Sequence, residues 1–206
     1  MSYKKIYFFF ALFSLFQSME SLATNKEEVK MAKVKIEKAT FAGGCFWCTQ
    51  PAFDKLKGVI STTVGYTGGT KENPTYEEVC SGKTGHAEAL EITYDPQQVS
   101  FTELLEIFWK NIDPTKLNQQ FFDVGTQYRT SIFYHTEEQK KTAQDSKSKL
   151  EKSGKFDQPI VTEIVPASAF YKAEDYHQKY YQKCPLQYKS YKIGSGRDSY
   201  LKKMWK

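Results

Sequence analysis

Two cysteines three positions apart, Cys45 and Cys48, are the residues of this sequence best suited to chemistry. They follow an apolar run that ends at residues 40–42 and a Gly43-Gly44 pair, and they open a segment with helical periodicity. This order predicts a strand-to-helix turn with Cys45 near the helix N-terminus. Free backbone N–H groups and the positive end of the helix dipole favour a thiolate at that position. We therefore expect Cys45 to be a nucleophile at neutral pH.

A Cys-x-x-Cys pair also occurs in zinc sites and in thioredoxin-type dithiols. A structural zinc site needs a second pair of Cys or His residues at short spacing. The other candidate ligands are scattered singly along the chain: Cys80, His86, His135, His177 and Cys184. A thioredoxin-type dithiol also follows a strand, so the spacing alone leaves thiol–disulfide exchange open.

Five motifs in chain order separate these alternatives. They are GGCFWC at 43–48, GYTGG at 65–69, PTYEEV at 74–79, GHAE at 85–88 and GTQYR at 125–129. Together they resemble the peptide methionine sulfoxide reductase A family over roughly residues 37–197. The resemblance implies repair of oxidative damage by an enzyme that reduces the S-epimer of methionine sulfoxide, protein-bound or free. It further implies a cysteine sulfenic acid intermediate that a dithiol donor regenerates.

The resemblance also implies roles for single residues, with Cys45 as the nucleophile and Glu88 as the acid that protonates the departing oxygen. Glu88 stands in an alternating segment among apolar neighbours. Burial there disfavours the ionised carboxylate and keeps it protonated near neutral pH. The other implied site residues are Tyr76 and Tyr128 as hydroxyl donors to the sulfoxide oxygen, Phe46 and Trp47 as the pocket for the S-methyl group, and Asp123 as an orienting group for substrate or water.

The thiol that recycles Cys45 is not settled by these motifs. Many family members carry recycling cysteines in the C-terminal tail, whereas no cysteine follows Cys184 here. Cys48 lies on the same helical face as Cys45 and closes a small ring without a large motion, while Cys184 borders the tail. We favour Cys48, with Cys184 and direct reduction by an external thiol as alternatives. Cys80 is expected to be structural, although an exported chain also allows a static disulfide between Cys80 and Cys184.

Length and composition limit the remaining possibilities. The chain has 206 residues, enough for one domain with a sizeable core, and 16% of them are aromatic. Its formal net charge of +5 comes from dispersed lysines rather than from one basic stripe, so we expect no nucleic-acid partner. The resemblance implies methionine sulfoxide as substrate, a thioredoxin-like dithiol as reductant, and no metal or organic cofactor. We expect a monomer.

The N-terminal residues have the pattern of a targeting sequence. Lys4-Lys5 precede an apolar run at 6–16 that is too short to span a bilayer, and Ser21-Leu22-Ala23 fits a signal-peptidase site. An uncleaved signal anchor is the alternative, and no other segment is expected to cross a membrane. We predict export, to a bacterial periplasm, and a division into a signal peptide (1–23), a polar leader (24–33) and one reductase domain (34–206).

Apolar periodicity and breakers place the secondary structure that must position these residues. Strands are predicted at 34–41, 59–66, 86–94, 127–134 and 159–165, and helices at 46–56, 75–79, 100–111, 136–152 and 174–183. Thr75 and Ser100 each precede a Glu at the spacing of a capping box, and Thr136 is a lone N-cap.

Strands separated by helices indicate a sheet covered by helices on one face, and periodicity alone leaves α/β and α+β arrangements open. The family resemblance implies α+β: a two-layer, ferredoxin-like sandwich with extra helices and an irregular C-terminal tail at 188–206.

Overall fold

The strand that leads to Cys45 is the third from one edge of a six-stranded sheet. The computed structural model describes residues 35–205. The strands are β1 (Glu37–Gly43), β2 (Val59–Thr67), β3 (Ala87–Tyr94), β4 (Gln119–Gln120), β5 (Asp123–Val124), β6 (Thr130–Tyr134), β7 (Glu163–Pro166) and β8 (Tyr171–Lys172). The helices are α1 (Phe46–Phe53), α2 (Tyr76–Cys80), α3 (Phe101–Trp109), α4 (Glu137–Lys152), α5 (Tyr180–Lys183), α6 (Pro185–Gly194) and α7 (Arg197–Met204), with a 3-10 turn at Thr126–Tyr128.

The sheet has the order β7-β6-β1-β3-β2-β8. Strand β1 pairs antiparallel with both β3 and β6, and β3 pairs antiparallel with β2, whereas β7 joins β6 in parallel. With α1 after β1 and α3 after β3, the central strands β1, β2, β3 and β6 form a βαββαβ unit whose fourth strand lies beside the first. This is the ferredoxin-like arrangement, so the predicted α+β fold is confirmed.

The two faces of the sheet bury different amounts of apolar surface. On the face covered by helices, the ring of Phe41 packs against Phe53, Phe101 and Phe108 with centroids 5.8, 5.9 and 5.0 Å away. The opposite face has a smaller cluster: Ala42, Ala87, Ala89 and Phe133, with Val165, Ala167 and Phe170 packed on it. Because side chains alternate along a strand, successive residues of β1 and β3 point to different faces.

The predicted helix starts are confirmed at three places. Ser100 accepts a hydrogen bond from the Glu103 N–H, and the Glu103 carboxylate accepts one from the Ser100 N–H, which completes the capping box of α3. Thr75 begins α2 in the same way, and Thr136 caps α4 by accepting from the Gln139 N–H. These caps satisfy backbone donors that have no partner inside the helix.

Several predicted elements are shorter in the structure than expected, among them the strands at 127–134 and 159–165 and the helix at 174–183. The residues before β6 form the 3-10 turn instead of a strand, because Gly125 takes a φ of 147° and breaks the extended chain ahead of it. Strand β7 begins only at Glu163, since the preceding residues make no ladder pairing with β6. Of the helix predicted at 174–183, only α5 is α-helical.

The expectation of an irregular tail at 188–206 is wrong. Helices α6 and α7 occupy most of it, and Pro185 at the first position of α6 suits a helix start. Gly196, with a φ of +79°, turns the chain between them. Arg197, at the start of α7, is only 1% exposed, so a buried contact rather than local apolar periodicity orders this segment.

The predicted signal peptide and leader, and the first and last residues of the predicted domain, lie outside the described residues. Residues Ile36–Lys206 form one compact unit. Within 35–205, no helix is both long and apolar enough to cross a membrane.

Candidate active site

The turn that carries Cys45 is closed tightly around two glycines. Gly44 has a φ of +78°, and a Cβ on it would come within 2.5 Å of the Gln120 side chain. Cys45 is the N-cap of α1, and its carbonyl accepts a hydrogen bond from the Cys48 N–H at 3.1 Å. The predicted strand-to-helix position of Cys45 is therefore confirmed, and only glycine fits the residue before it.

Cys45 and Cys48 are buried free thiols that share a side-chain hydrogen bond. Burial raises the pKa of Cys45 well above its ordinary value, and the bond to Cys48 and the charge of Glu88 raise it further. The same bond lowers the pKa of Cys48. Burial opposes this shift, and the positive charges of Arg197 and Lys192 lower the pKa further.

The expected thiolate at Cys45 is therefore wrong for this arrangement. Its side chain makes no capping hydrogen bond, and the Phe46 N–H donates to the Glu88 carboxyl at 3.0 Å instead of to the sulfur. Desolvation then outweighs the helix dipole. Of the two thiols, Cys48 is the one whose surroundings favour the anion.

Glu88 lies on β3 with its side chain on the helix-covered face, and it is 2% exposed. Burial raises its pKa to about 8, the hydrogen bond from Phe46 N–H opposes this, and the charges of Asp123 and Cys48 add to it. A carboxyl with such a pKa is mostly protonated at neutral pH and can donate a proton. The predicted protonated state of Glu88 thus agrees with its surroundings.

Tyr76 on α2 and Tyr128 in the 3-10 turn both lie near Glu88. Both are half-buried, burial raises the pKa of each hydroxyl, and the charge of Glu88 raises both further. The charge of Cys45 also raises the pKa of Tyr128. Two neutral phenols therefore stand near the carboxyl and able to donate a hydrogen bond.

Phe46 and Trp47 contribute rings of different accessibility. Phe46 is 1% exposed and contacts the rings of Tyr66 and His177, with centroids 5.9 and 5.0 Å away. Trp47 is partly exposed, stacks on Tyr180 at 3.9 Å, and donates from Nε1 to His177 Nδ1 at 2.9 Å. Trp47 therefore has ring surface that a substrate can contact, whereas its sequence neighbour Phe46 is a buried support.

His177 and Glu174 hold the aromatic residues together, and neither is among the predicted site residues. Because His177 Nδ1 accepts the Trp47 bond, the neutral ring carries its proton on Nε2, which lies 3.9 Å from a Glu174 oxygen. Glu174 also accepts from the Tyr66 hydroxyl at 2.8 Å and from the Tyr76 N–H at 2.9 Å. One carboxylate thus fixes the start of α2 against β2.

Asp123 meets the site through a tyrosine. The Tyr191 hydroxyl donates to Asp123 Oδ2 at 2.6 Å and is also hydrogen-bonded to Cys45. Burial raises the pKa of Asp123, while the bond from Tyr191 and the charge of Arg197 lower it. In a chain with 14 tyrosines no local signal marks Tyr191, although Pro185 after Cys184 is a helix-start pattern that would place it on a helix.

The remaining cysteines lie at the margin of the site. Cys184 is half-buried where α5 meets α6, and it is hydrogen-bonded to the hydroxyl of Tyr180, the ring that stacks on Trp47. Cys80 is half-buried, and its thiol is hydrogen-bonded to the Tyr76 hydroxyl. Both are free thiols rather than partners in a disulfide.

In the part of the chain that the structure describes, Cys45 belongs neither to a candidate metal site nor to the groove described below. Among the described residues, no group of three His, Cys, Asp or Glu side chains is placed to hold a metal ion. A groove of about 530 Å³ lies elsewhere, between α3 and α4, with Trp109, Leu150 and Trp205 in its wall. The titratable groups around the two thiols identify the reactive site better than that groove does.

Comparisons with known proteins agree with this geometry. Residues 37–206 match the model of the family described as peptide methionine sulfoxide reductase. The chain is 54% identical over 171 residues to peptide methionine sulfoxide reductase MsrA of Bacillus licheniformis, covering 83% of this chain and 94% of that protein. Mxr1 from Saccharomyces cerevisiae in reduced form is similar with a TM-score of 0.70 and 34% identity, covering 75% of this chain and 88% of that one. Mxr1 in complex with Trx2 has a TM-score of 0.51 and 25% identity, covering 72% and 86%.

Proposed function

This chain belongs to the peptide methionine sulfoxide reductase family, and from that premise we propose that it reduces the S-epimer of methionine sulfoxide, protein-bound or free, at Cys45. The observation that carries the assignment is the meeting of a buried thiol with a buried carboxyl whose pKa is raised to about 8. Sulfoxide reduction needs a sulfur nucleophile and a proton for the oxygen, and this pair supplies both.

In the first half-reaction the Cys45 sulfur attacks the sulfoxide sulfur while Glu88 gives its proton to the oxygen. The oxygen then passes to Cys45, which becomes a sulfenic acid, and the sulfide of methionine leaves. The thiol proton of Cys45 restores Glu88, so the step consumes no net proton. The raised pKa of Cys45 makes this coupled transfer necessary, because little thiolate is present beforehand.

Tyr76 and Tyr128 donate hydrogen bonds to the oxygen as negative charge builds on it. Both hydroxyls keep their protons well above neutral pH, since burial and the charge of Glu88 raise their pKa values. Trp47 offers the exposed part of its half-buried ring to the S-methyl group, with Phe46 as the buried support. Asp123 acts through Tyr191, which it holds against Cys45.

In the second half-reaction Cys48 condenses with the sulfenic acid to form a disulfide and water. Cys48 already shares a hydrogen bond with Cys45, and positions three apart on a helix bring the two side chains to the same face. Cys184 instead contacts Tyr180, in a segment held by helices on both sides. The contacts favour Cys48 as the recycling thiol over Cys184 and over direct reduction by an external thiol.

A thioredoxin-type dithiol then reduces the disulfide. The similarity to Mxr1, a structure of which contains Trx2, supports this class of reductant. The Cys45–Cys48 disulfide is the bond that such a dithiol would attack, through a mixed disulfide with one of the two sulfur atoms.

Resolved epimers of methionine sulfoxide test the assignment directly. The purified chain with a dithiol reductant should consume the S-epimer and leave the R-epimer. Consumption of the R-epimer alone would contradict the proposed substrate. An oxidoreductase specific for disulfides would leave both epimers and reduce insulin instead.

We further propose export with removal of residues 1–23, and a monomeric mature chain. The basic Lys4-Lys5 pair, the short apolar run and the Ser21-Leu22-Ala23 pattern support export. N-terminal sequencing of protein from the envelope fraction should begin at Thr24, and a chain from the cytoplasm that begins at Met1 would contradict it. Sedimentation of that preparation should give a mass of one chain, and a dimer mass would contradict the second part.

A further inference from the structure

Arg197 is a buried cation that the proposed half-reactions leave unused. It is 1% exposed, and its guanidinium donates to the Gly43 carbonyl at 3.0 Å and to the Asn111 carbonyl at 2.5 Å. It also lies over the Phe121 ring, 4.5 Å from the centroid. None of these partners carries a negative charge, and within 35–205 no carboxylate lies at salt-bridge distance from it. A buried charge without a counter-ion is costly, so its retention needs a reason.

The position of this cation is informative. One of its nitrogens lies 3.1 Å from where a Cβ on Gly44 would be, so the charge lies against the turn that ends in Cys45. The groups whose negative form it favours are the Cys48 thiol, the Asp123 carboxyl and the Tyr188 hydroxyl. The pKa of Glu88, by contrast, is not among the pKa values that Arg197 shifts.

We infer that Arg197 is a positioning residue for the disulfide-forming half-reaction, fixing the turn of Cys45 and placing its positive charge where it acts on Cys48. This inference rests on the proposed recycling role of Cys48. The Cys48 thiolate attacks the sulfur of the Cys45 sulfenic acid, the S–S bond forms and the S–O bond breaks. The hydroxide that leaves takes up a proton and becomes water. The attacking group must be a thiolate, which is the form that a nearby cation favours.

The charged and titratable groups that face Cys48 set the pH range of this effect. They are the Cys45 thiol, which donates to it, the cations Arg197 and Lys192, and Asp123, which opposes them. Glu88 and the Tyr188 hydroxyl also face it, since the charge of Cys48 raises the pKa of each. Lys192 is one-third exposed and paired with Asp198 at 2.9 Å, so solvent and its partner screen it. Arg197 is buried and lacks such a partner within 35–205, so it lowers the pKa of Cys48 more than Lys192 does.

The test compares the rate of disulfide formation with the rate of methionine release in single turnovers without reductant, for the wild type, Arg197→Gln and Arg197→Lys. At pH 7 the ratio should fall several-fold in Arg197→Gln, because a smaller fraction of Cys48 is then in the thiolate form. Raising the pH towards 9 should restore it, because the thiolate then forms without help. Arg197→Lys should recover part of the ratio at pH 7.

Two outcomes would overturn the inference: an unchanged ratio, or a loss in Arg197→Gln that is equal at all pH values and not relieved by Arg197→Lys, since that pattern belongs to a purely structural residue. If Arg197→Gln does not fold, Lys192→Gln gives the same test with a smaller shift, against Lys149→Gln on α4 as the control. An equal ratio in Lys192→Gln and Lys149→Gln would then contradict the inference.

The disulfide found by mass spectrometry in the oxidised wild type separates this inference from the proposed function. A Cys45–Cys184 link would overturn the recycling role of Cys48 and the inference with it. A Cys45–Cys48 link with an Arg197→Gln ratio equal to the wild type would overturn the role of Arg197 alone.

Discussion

The two sides of Cys45 differ in how they shift the pKa of a neighbouring group. On one side, Glu88 is buried between β3 and α1, and its pKa is raised to about 8, so it keeps a proton near neutral pH. On the other side, Cys48 is also buried, yet its pKa is lowered by the bond from Cys45 and by two cations. Burial is common to both, and only the second side adds positive charge.

This difference matches the order of the two half-reactions. Sulfoxide reduction needs an acid that has kept its proton, whereas disulfide formation needs a sulfur that has lost one. Had Arg197 faced Glu88 instead, it would have favoured the carboxylate and removed the acid. Because the charge of Arg197 acts on Cys48 and not on Glu88, a protonated acid and a thiolate can be present together at the start of α1.

The largest expected effect is complete loss of methionine release in Cys45→Ser, because both sides act on this one sulfur. Cys184→Ser is the matched control and should still release one methionine per chain in a single turnover. Quantifying methionine after mixing with excess sulfoxide and no reductant is sufficient. Single-turnover release in Cys45→Ser would place the nucleophile elsewhere.

The next effect removes the acid side alone. Glu88→Gln keeps the shape of the side chain but has no proton to give, which should cost roughly 10² to 10⁴-fold in the rate of the first half-reaction. In the wild type that rate should fall as the pH rises through about 8, where the protonated carboxyl is lost. The variant should lack this fall, and a rate within about threefold of the wild type would assign the proton to another group.

A smaller expected effect concerns the cationic side. Cys48→Ser should release one methionine per chain but then stall with a thioredoxin-type reductant, because the sulfenic acid has no neighbouring thiol. Trapping with dimedone should label Cys45 in this variant and much less in the wild type. Normal cycling of Cys48→Ser would transfer the recycling role to Cys184 or to an external thiol.

The smallest effect is expected from removing the Tyr191 hydroxyl, which lies between the two sides. Tyr191→Phe loses the hydroxyl that joins Asp123 to Cys45, and a single hydrogen bond of about 1 kcal/mol corresponds to a two- to tenfold change. Both half-reactions should slow by a similar factor, measured as methionine release and disulfide formation in the same experiment. Tyr134→Phe on β6 is the control, and a loss confined to one step would place Tyr191 on that side.

The local pattern of the sequence predicts much of the first half of the fold. The start of α3 at Ser100 and of α2 at Thr75 follows from contacts three residues apart, and the position of Cys45 follows from the turn around Gly44. Such signals lie within a few neighbouring residues. The protonation of Cys45 was predicted wrongly because it depends on burial, which is a property of the packed molecule.

The C-terminal part was hardly predicted, for a related reason. His177 bonds to Trp47, 130 residues away, and Tyr191 bonds to Asp123, 68 residues away. A histidine or tyrosine shows no local pattern that reveals such a partner. The helix at 174–183 was predicted from local periodicity and the irregular tail from the family resemblance, and neither carries information about such distant partners.

The bond between Arg197 and the Gly43 carbonyl joins residues 154 positions apart. At a synthesis rate of about 5–20 residues per second, roughly 8 to 30 s separate the appearance of these two groups in a nascent chain. The turn of Cys45 lacks its last support until the C-terminal helix has been made. The surroundings of the thiol pair are thus completed only after Arg197 has been made, well after the two cysteines themselves.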